Sequence, residues 1–352
     1  MLFMFYGFNP FKKKDCRTSI FFNGMEYSRK LMQPSIQKRC IVRVLLISIL
    51  LFLCLHIAGP YYCQLRFATK KVEYVCIEDP ETHNTTGLEN LKPLHIFVRD
   101  GNNHVFSEQH FYNFSRRKYL NFTPSETNRI TSCINDYPTD FWKGHEDFWS
   151  GTQQEIRRTH HTYLVPGENI IVEVGGNVGE DAQVFLDTYK PKYYVMLEPL
   201  KLLYRRLQQR FANYTNVITY NFGLGAGYEK FMIRMEGNEG DASSPFLGSG
   251  EGTCSMKVVN ATDFFRKLGV GNFKIDLITI NCEGCEYDLL ETLLSTDLIL
   301  QFKHIQFATH SKLKNLHDPV NRYCQLQEML SRSHKLTYQY KFQWETWKLK
   351  DV

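Results

Sequence analysis

No Gly-Lys-Ser or Gly-Lys-Thr triplet occurs in the 352 residues, nor an Asp-x-Asp pair, a second Cys-x-x-Cys or an internal repeat. The first absence excludes a P-loop that would cradle nucleoside triphosphates. The second argues against a transferase that grips a sugar nucleotide through a metal. The third leaves Cys282 and Cys285 without the partner pair that a four-ligand zinc site needs, and a redox pair is the other, less favoured reading of these two cysteines. Evenly spread basic charge is also missing. Lys12, Lys13, Lys14, Arg17, Arg29, Lys30, Lys38, Arg39 and Arg43 all precede one apolar stretch, against only Asp15 and Glu26. The remaining chain is close to neutral, which argues against a nucleic-acid partner despite the formal net charge of +5.

The apolar stretch is VLLISILLFLCLHIAGPYYC, Val44 to Cys63, and carries no Lys, Arg, Asp or Glu. At the helical rise such a length spans roughly 30 Å, the thickness of bilayer hydrocarbon. The basic excess on its N-terminal side predicts a cytoplasmic N-terminus, and Tyr61 and Tyr62 suit the far interface. Ala58-Gly59 resembles a signal-peptidase site, but the tail before the apolar run is too long for an ordinary signal peptide. The expectation is therefore an uncleaved single-pass anchor with everything after it lumenal or extracellular. Sequons at Asn84, Asn113, Asn121, Asn213 and Asn260 all lie beyond the anchor. So do Cys63, Cys76, Cys133, Cys254, Cys282, Cys285 and Cys324, an odd set, with Cys63–Cys76 a candidate stem disulfide.

The chain divides into four regions: a basic tail (1–43), the anchor (44–63), a stem and N-terminal cap (64–135) and a main domain (136–352). YPTDFWKGHEDFWSGTQQEIRRTHHTYLV reads as partly helical and rich in aromatics, with His160 and His161 at the surface. From 169 onward apolar runs (IIVEV, YYVML, VITYN, IDLITIN, HIQFA) alternate with amphipathic stretches at 181–189, 200–211, 262–268, 287–294 and 321–330. That alternation predicts βαβ units and a mostly parallel sheet with helices on both faces. KLTYQYKFQWETWKL predicts a closing antiparallel hairpin at the sheet edge. EGNEGDASSPFLGSGEG (236–252) is either a surface loop or a mobile lid.

The first apolar run ends in a glycine corner, Glu173-Val174-Gly175-Gly176-Asn177-Val178-Gly179-Glu180-Asp181. A dinucleotide fingerprint needs G-x-G-x-x-G, so that pyrophosphate can rest on a bare helix N-terminus. Here two carboxylates occupy that place and would repel phosphate. S-Adenosylmethionine lacks phosphate, carries a cationic sulfonium and fits such a corner. Glu173 is placed to receive its ammonium, and Glu198, ending the second run in MLEP, to accept both ribose hydroxyls. A plain Gly-rich turn and a Pro-started helix are the structural alternatives. The small residues of FGLGAGYEKF either admit adenine or make a tight turn.

VEVGGNVGE, MLEP and IDLITINCEGCEYDLLETL, in that order, resemble the FkbM family of S-adenosylmethionine-dependent methyltransferases, over about residues 165–348. The resemblance implies a class I methyltransferase, Rossmann-like fold and transfer to oxygen on a sugar or polyketide hydroxyl. It puts Glu173, Gly175, Asn177 and Gly179 at the methionine end of the cofactor and Glu198 at the ribose. It puts Asn281 and Glu283 beside the transferred methyl group. The common form Asp-x-Glu-Gly-x-Glu here reads Asn281-Cys282-Glu283-Gly284-Cys285-Glu286. Asn281 cannot accept a proton from the acceptor, so Glu283 or His310 would serve. Glu283 can equally cap the following helix, and His310 can be an ordinary loop histidine. Trp142, Trp149, Trp344 and Trp347 are candidates for stacking on a sugar, or for the core. The expected protein is a Golgi-type lumenal O-methyltransferase of a glycan or another hydroxyl-bearing acceptor, with the endoplasmic reticulum or cell surface as other locations. A catalytically inactive relative that binds cofactor or glycan is the main rival, ahead of a glycosyltransferase or a dinucleotide oxidoreductase.

Overall fold

The computed structural model describes residues 112–234, 243–246 and 254–351, with Leu88, Leu91 and Leu94. The basic tail, the apolar stretch 44–63 and Cys63 and Cys76 lie outside the described residues. Among those described, no helix is long and apolar enough to cross a membrane. The described elements all belong to the compact unit Glu73–Val352.

Ten strands among the described residues form two sheets. The larger has the order β3-β2-β1-β7-β8-β10-β9, from β1 (Ile170–Val174), β2 (Tyr193–Leu197), β3 (Val217–Tyr220), β7 (Leu277–Ile280), β8 (His304–Ala308), β9 (His334–Tyr340) and β10 (Trp344–Leu349). β3 through β8 run parallel, and β10 is antiparallel to both β8 and β9. The predicted parallel sheet and closing hairpin are both present. All five residues of β1 are buried, as a largely apolar run flanked by strands on both sides must be.

Strand alternation divides β1 between two cores. Ile171 packs with Tyr194, Met196 and Leu277 under Phe185 and Leu186 of helix α3 (Glu180–Tyr189). Val172 and Val174 pack on the opposite face with Ile278, Ile280 and the side chains of α5 (Ala261–Leu268) and α6 (Cys285–Leu294). α5 supplies Phe264 and Phe265, both wholly buried, each contributing roughly 1.5–3 kcal/mol. Asn260 starts this helix, accepting a hydrogen bond from the Asp263 amide at 3.0 Å.

The chain moves outward from β1 to β3, with α4 (Lys201–Arg210) between β2 and β3, and then returns to lay β7 on the other side of β1. The order therefore reverses between β1 and β7. In open α/β sheets that reversal opens a crevice at the carboxyl ends of the strands.

Two features depart from the sequence reading. FGLGAGYEKF and the residues after the 236–252 insertion form a second sheet, β4 (Gly223–Gly225), β6 (Cys254–Asn260) and β5 (Glu229–Ile233), in that spatial order. Its strands carry charged and small residues, which hide the apolar pattern. In addition, helix α1 (Pro124–Trp149) runs straight through the expected domain boundary at 135/136. Thr123 and Glu126 form a reciprocal capping box at its start. Cys133 is disulfide-bonded to Cys324 of α7 (Pro319–Ser331), and Arg129–Glu328 and Arg332–Glu126 ion pairs flank the bridge at 2.7 and 2.9 Å. Residues 124–135 thus belong to the main body, and a one-turn helix α2 (Ile156–Thr159) follows α1.

The aromatic and histidine assignments also change. Trp344 and Trp347 are buried, the first stacked on Phe148 of α1 and the second within the main core. Three residues apart on one strand, they face opposite sides of the sheet. Of the four tryptophans, only Trp142 and Trp149 remain exposed, at 54% and 53%. His161 is wholly buried, its ring held by the Tyr163 hydroxyl and the Arg157 carbonyl, and burial pushes its pKa down to about 4.

Candidate functional site

The crevice at the β1/β7 reversal is a cleft of about 960 Å³, open solvent at its mouth included. One wall is the corner after β1, with Gly175 and Asn177; another is the end of β2, from Glu198 to Leu200. A third is the turn after β7, from Asn281 to Glu283 with Cys285. The second sheet closes the remaining side with Gly223 to Ala226, Glu229, Phe231, Met256 and Val258. The described part of the insertion contributes Ser243, Pro245 and Phe246.

Charge in this cleft has one sign. Glu198, Glu229, Glu283 and Asp288 line it, and no Lys, Arg or His does among the described residues. The insertion 236–252 adds four acidic residues to the sequence and no basic one.

Gly175 brings two strand ends together. Its φ of 93° is a left-handed conformation that favours glycine, and a Cβ there would lie 1.9 Å from the Asn281 carbonyl oxygen. The Asn281 amide in turn donates to the Val174 carbonyl at 2.9 Å. Glu198 ties the corner to β2, its carboxyl accepting from the Asn177 amide and the Leu200 amide, each at 2.8 Å. Burial raises its pKa, the two amides oppose the rise, and the balance leaves it at about 7. A carboxylate offers about four lone-pair positions, so two remain for hydroxyl donors.

Past β7, Glu283 adopts φ 52° and Gly284 φ 108°. Glu283 Oε1 lies 3.2 Å from His310 Nε2, and His310 Nδ1 lies 3.1 Å from Oε1 of Glu286. Glu286 is buried and also accepts from the Gly284 and His310 amides, both at 2.9 Å. Burial favours the neutral His310 ring, but the charges of Glu283 and Glu286 outweigh it and hold the pKa well above the usual histidine value. Burial likewise opposes ionisation of Glu283, and the His310 charge reverses this, leaving its pKa lowered. The three side chains form a carboxylate–imidazolium–carboxylate row. His310, protonated on both nitrogens, has no lone pair with which to act as a base.

Of the residues singled out in the sequence, Gly175, Asn177, Glu198, Asn281 and Glu283 meet in the cleft. His310 reaches it only through Glu283. Gly179 caps α3 with φ 79° and packs against the Phe211 ring. Glu173 does not line the cleft: its carboxyl accepts from the Tyr194 hydroxyl at 3.0 Å on the α3 side of the sheet. Strand alternation accounts for this, since Val174 takes the cleft face. Burial, then the Asp181 charge, holds the Glu173 carboxyl well above the usual range. Asp181 itself is paired with Arg158 at 2.5 Å and Arg157 at 3.3 Å, so its repulsion of phosphate is weaker than the bare sequence suggests.

Two contributors escaped the sequence reading. Glu286 stands in the motif after β7, and only the fold shows it reaching the end of β8. Cys282 and Cys285, unsuited to zinc without a partner pair, form a disulfide that lines the cleft. Cys254 is disulfide-bonded as well.

No family model matches the chain, and no curated protein matches it. Among solved structures it is similar to a methyltransferase FkbM from Methylobacillus flagellatus KT at 12% identity and TM-score 0.38, over 62% of this chain and 60% of that one. It is also similar to M. capricolum TrmK, in complex with S-adenosyl-homocysteine, at 11% identity and TM-score 0.30, covering 55% and 68%. Aeropyrum pernix fibrillarin, with natively bound S-adenosyl-L-methionine, gives 9% identity and TM-score 0.31 over 53% and 68%. The chain thus spans less than two thirds of the length of the FkbM structure. Identities and TM-scores this low establish no family for it, and the functional reading rests on the sheet order and the cleft.

Proposed function

We propose that the protein is an S-adenosylmethionine-dependent O-methyltransferase of the secretory pathway, acting in the Golgi lumen on a sugar hydroxyl of a glycan and anchored through residues 44–63. The observation that carries the cofactor is the charge of the cleft. A site at the strand reversal with four carboxylates and, among the described residues, no basic side chain repels pyrophosphate and favours a cationic nucleoside. The remaining lone pairs of Glu198 suit two ribose hydroxyls, and Gly223 and Gly225, which line the cleft without side chains, suit a flat base.

Bound there, the cofactor supplies an electrophilic methyl group on sulfur. The chain's own residues do the rest. Glu198 orients the ribose, and Asn281, exposed at the end of β7, offers an amide to position the acceptor hydroxyl. Glu283 receives the hydroxyl proton. With its pKa lowered it is a weak base, so the proton leaves only as the new C–O bond forms. His310 keeps Glu283 ionised and aimed, and Glu286 keeps His310 charged.

Lumenal residence is supported by the Cys133–Cys324 bridge, since stable disulfides belong to oxidising compartments. The exposed sequons Asn113, Asn121 and Asn213 agree with it. A second reading, a cofactor-binding protein without turnover, draws on Asn281 standing where the related motif carries a proton-accepting Asp.

Calorimetric titration separates these. Micromolar affinity for S-adenosylmethionine, none for NAD or a sugar nucleotide, and loss in Glu198→Ala are expected. Binding of NAD in preference would sink the cofactor assignment. Transfer of a deuterated methyl group to glycans then distinguishes enzyme from non-catalytic binder.

A further inference from the structure

Two of the cysteine bridges differ in their surroundings. Cys133–Cys324 joins residues 191 apart, and Cys324 is fully buried. Cys282–Cys285 joins residues 3 apart, and both cysteines are half-buried in the wall of the cleft. Closing so short a loop removes little chain entropy, so stability does not account for it.

Position accounts for it better. The bridge closes a ring over Glu283 and Gly284, the two consecutive left-handed residues. The same pair anchors the insertion: the Ser244 hydroxyl donates to the Glu283 carbonyl, and a Cβ on Gly284 would meet the Phe246 ring at 2.6 Å. On its other side the turn touches the glycine corner, where a Cβ on Gly175 would lie 3.3 Å from Cys282 Cα. One braced turn therefore carries Asn281, Glu283 and the contact point of the insertion.

We propose that Cys282–Cys285 is an exchangeable disulfide site for small thiols and dithiols entering the cleft, and that its redox state sets the conformation of the turn carrying Asn281 and Glu283. A thiolate of the dithiol attacks Cys282 Sγ, and the S–S electron pair passes to Cys285 Sγ. Cys285 is the first residue of α6, where unpaired N–H groups and the helix dipole stabilise a leaving thiolate. The second thiolate of the reductant then displaces Cys282 from the mixed disulfide. Two electrons and two protons pass to the cysteine pair, and the reductant departs as its own disulfide. Without the brace, Glu283 relaxes from a conformation that residues with a Cβ avoid, and its carboxylate leaves His310.

The test uses the full chain in detergent under graded dithiothreitol, with alkylation mapped by mass spectrometry and amide exchange followed at Gly284 and His310, whose N–H groups bond Glu286. Cys282 and Cys285 should alkylate at reductant levels at least tenfold below those needed for Cys133 and Cys324. Exchange at the two amides should speed at least tenfold and recover on reoxidation. The Cys282→Ser/Cys285→Ser variant should show the faster exchange with Cys133–Cys324 intact. Alkylation of all four cysteines together overturns the proposal, as does reduction of the pair without any change in exchange. Affinity for S-adenosylhomocysteine, a consequence that rests on the methyltransferase reading, should fall at least tenfold on reduction. Failure of the oxidised protein to bind it would sink that reading, while alkylation and exchange would still decide the disulfide.

Discussion

Replacing Gly175 by alanine isolates the closeness of two strand ends from the cost of a left-handed backbone. Gly167 is the internal reference: its φ is 80°, and a Cβ added there meets nothing within 4 Å. Gly167→Ala should therefore cost only the conformational term, about 1–2 kcal/mol. Gly175 has φ 93°, but its Cβ would lie 1.9 Å from the Asn281 carbonyl oxygen and 2.8 Å from the carbonyl carbon. Both obstacles are backbone and cannot rotate away. Relief requires β1 and β7 to part at their ends, which strains the hydrogen bond from the Asn281 N–H to the Val174 carbonyl and adds an overpacking cost of about 1–3 kcal/mol. Gly175→Ala should destabilise by about 2–5 kcal/mol, about 1–3 more than the reference by these two terms. Equilibrium urea unfolding of the two variants measures the difference directly. The Gly175 variant should also lose cofactor binding while the Gly167 variant keeps it. Equal destabilisation would refute the claim that the corner is packed backbone against backbone.

The same geometry fixes other outcomes. Glu198, with its folded pKa raised to about 7, retains its proton where the unfolded chain has already lost it. Its contribution is complete below about pH 4.5 and lost as pH rises to 7, about 3 kcal/mol in a stability titration that Glu198→Gln should flatten. Ribose hydroxyls donate to the charged form, so cofactor affinity should rise up to about tenfold per pH unit toward 7 and level off above it. Constant affinity between pH 5.5 and 7.5 would contradict the assigned contact. In NMR, the His310 ring should titrate well above the ordinary histidine range, and Glu286→Gln should bring that titration down toward it. In secretory cells, glycan mapping should find Asn113, Asn121 and Asn213 occupied and Asn260 bare. The Asn260 amide donates to the Ala226 carbonyl at 2.6 Å while its oxygen caps α5; an unmodified Asn113, Asn121 and Asn213 would count against a lumenal body.

Much of this architecture can be read from residues. The apolar runs IIVEV and IDLITIN announce buried parallel strands because nothing else hides such runs, and the aromatic alternation near the end announces the hairpin. Gly175, Asn177, Glu198, Asn281 and Glu283 converge because each follows a strand end, and strand ends on one edge of a parallel sheet are neighbours. Glu173 shows a different kind of miss. It sits next to Val174, and two-residue alternation sends adjacent side chains to opposite faces, so the information was present but outweighed by its place beside the glycines. His161 and Glu286 were out of reach, since Phe185 and Tyr189, packed on the His161 ring, and His310, bonded to Glu286, all lie more than twenty positions away in the chain. The second sheet was masked by Glu229 and Lys230, whose charged side chains interrupt the apolar pattern of β5.

The Cys133–Cys324 bridge also imposes an order in time. Cys133 leaves the ribosome 191 residues before its partner, which at ordinary synthesis rates is roughly 10–40 s. Throughout that interval helix α1 has neither α7 to pack against nor Glu328 and Arg332 to pair with its Arg129 and Glu126. The first described helix of the body is thus among the last pieces to be locked, and its thiol waits exposed while Cys254, Cys282 and Cys285 emerge. A stalled or truncated chain that never delivers Cys324 would leave Cys133 open to the wrong partner.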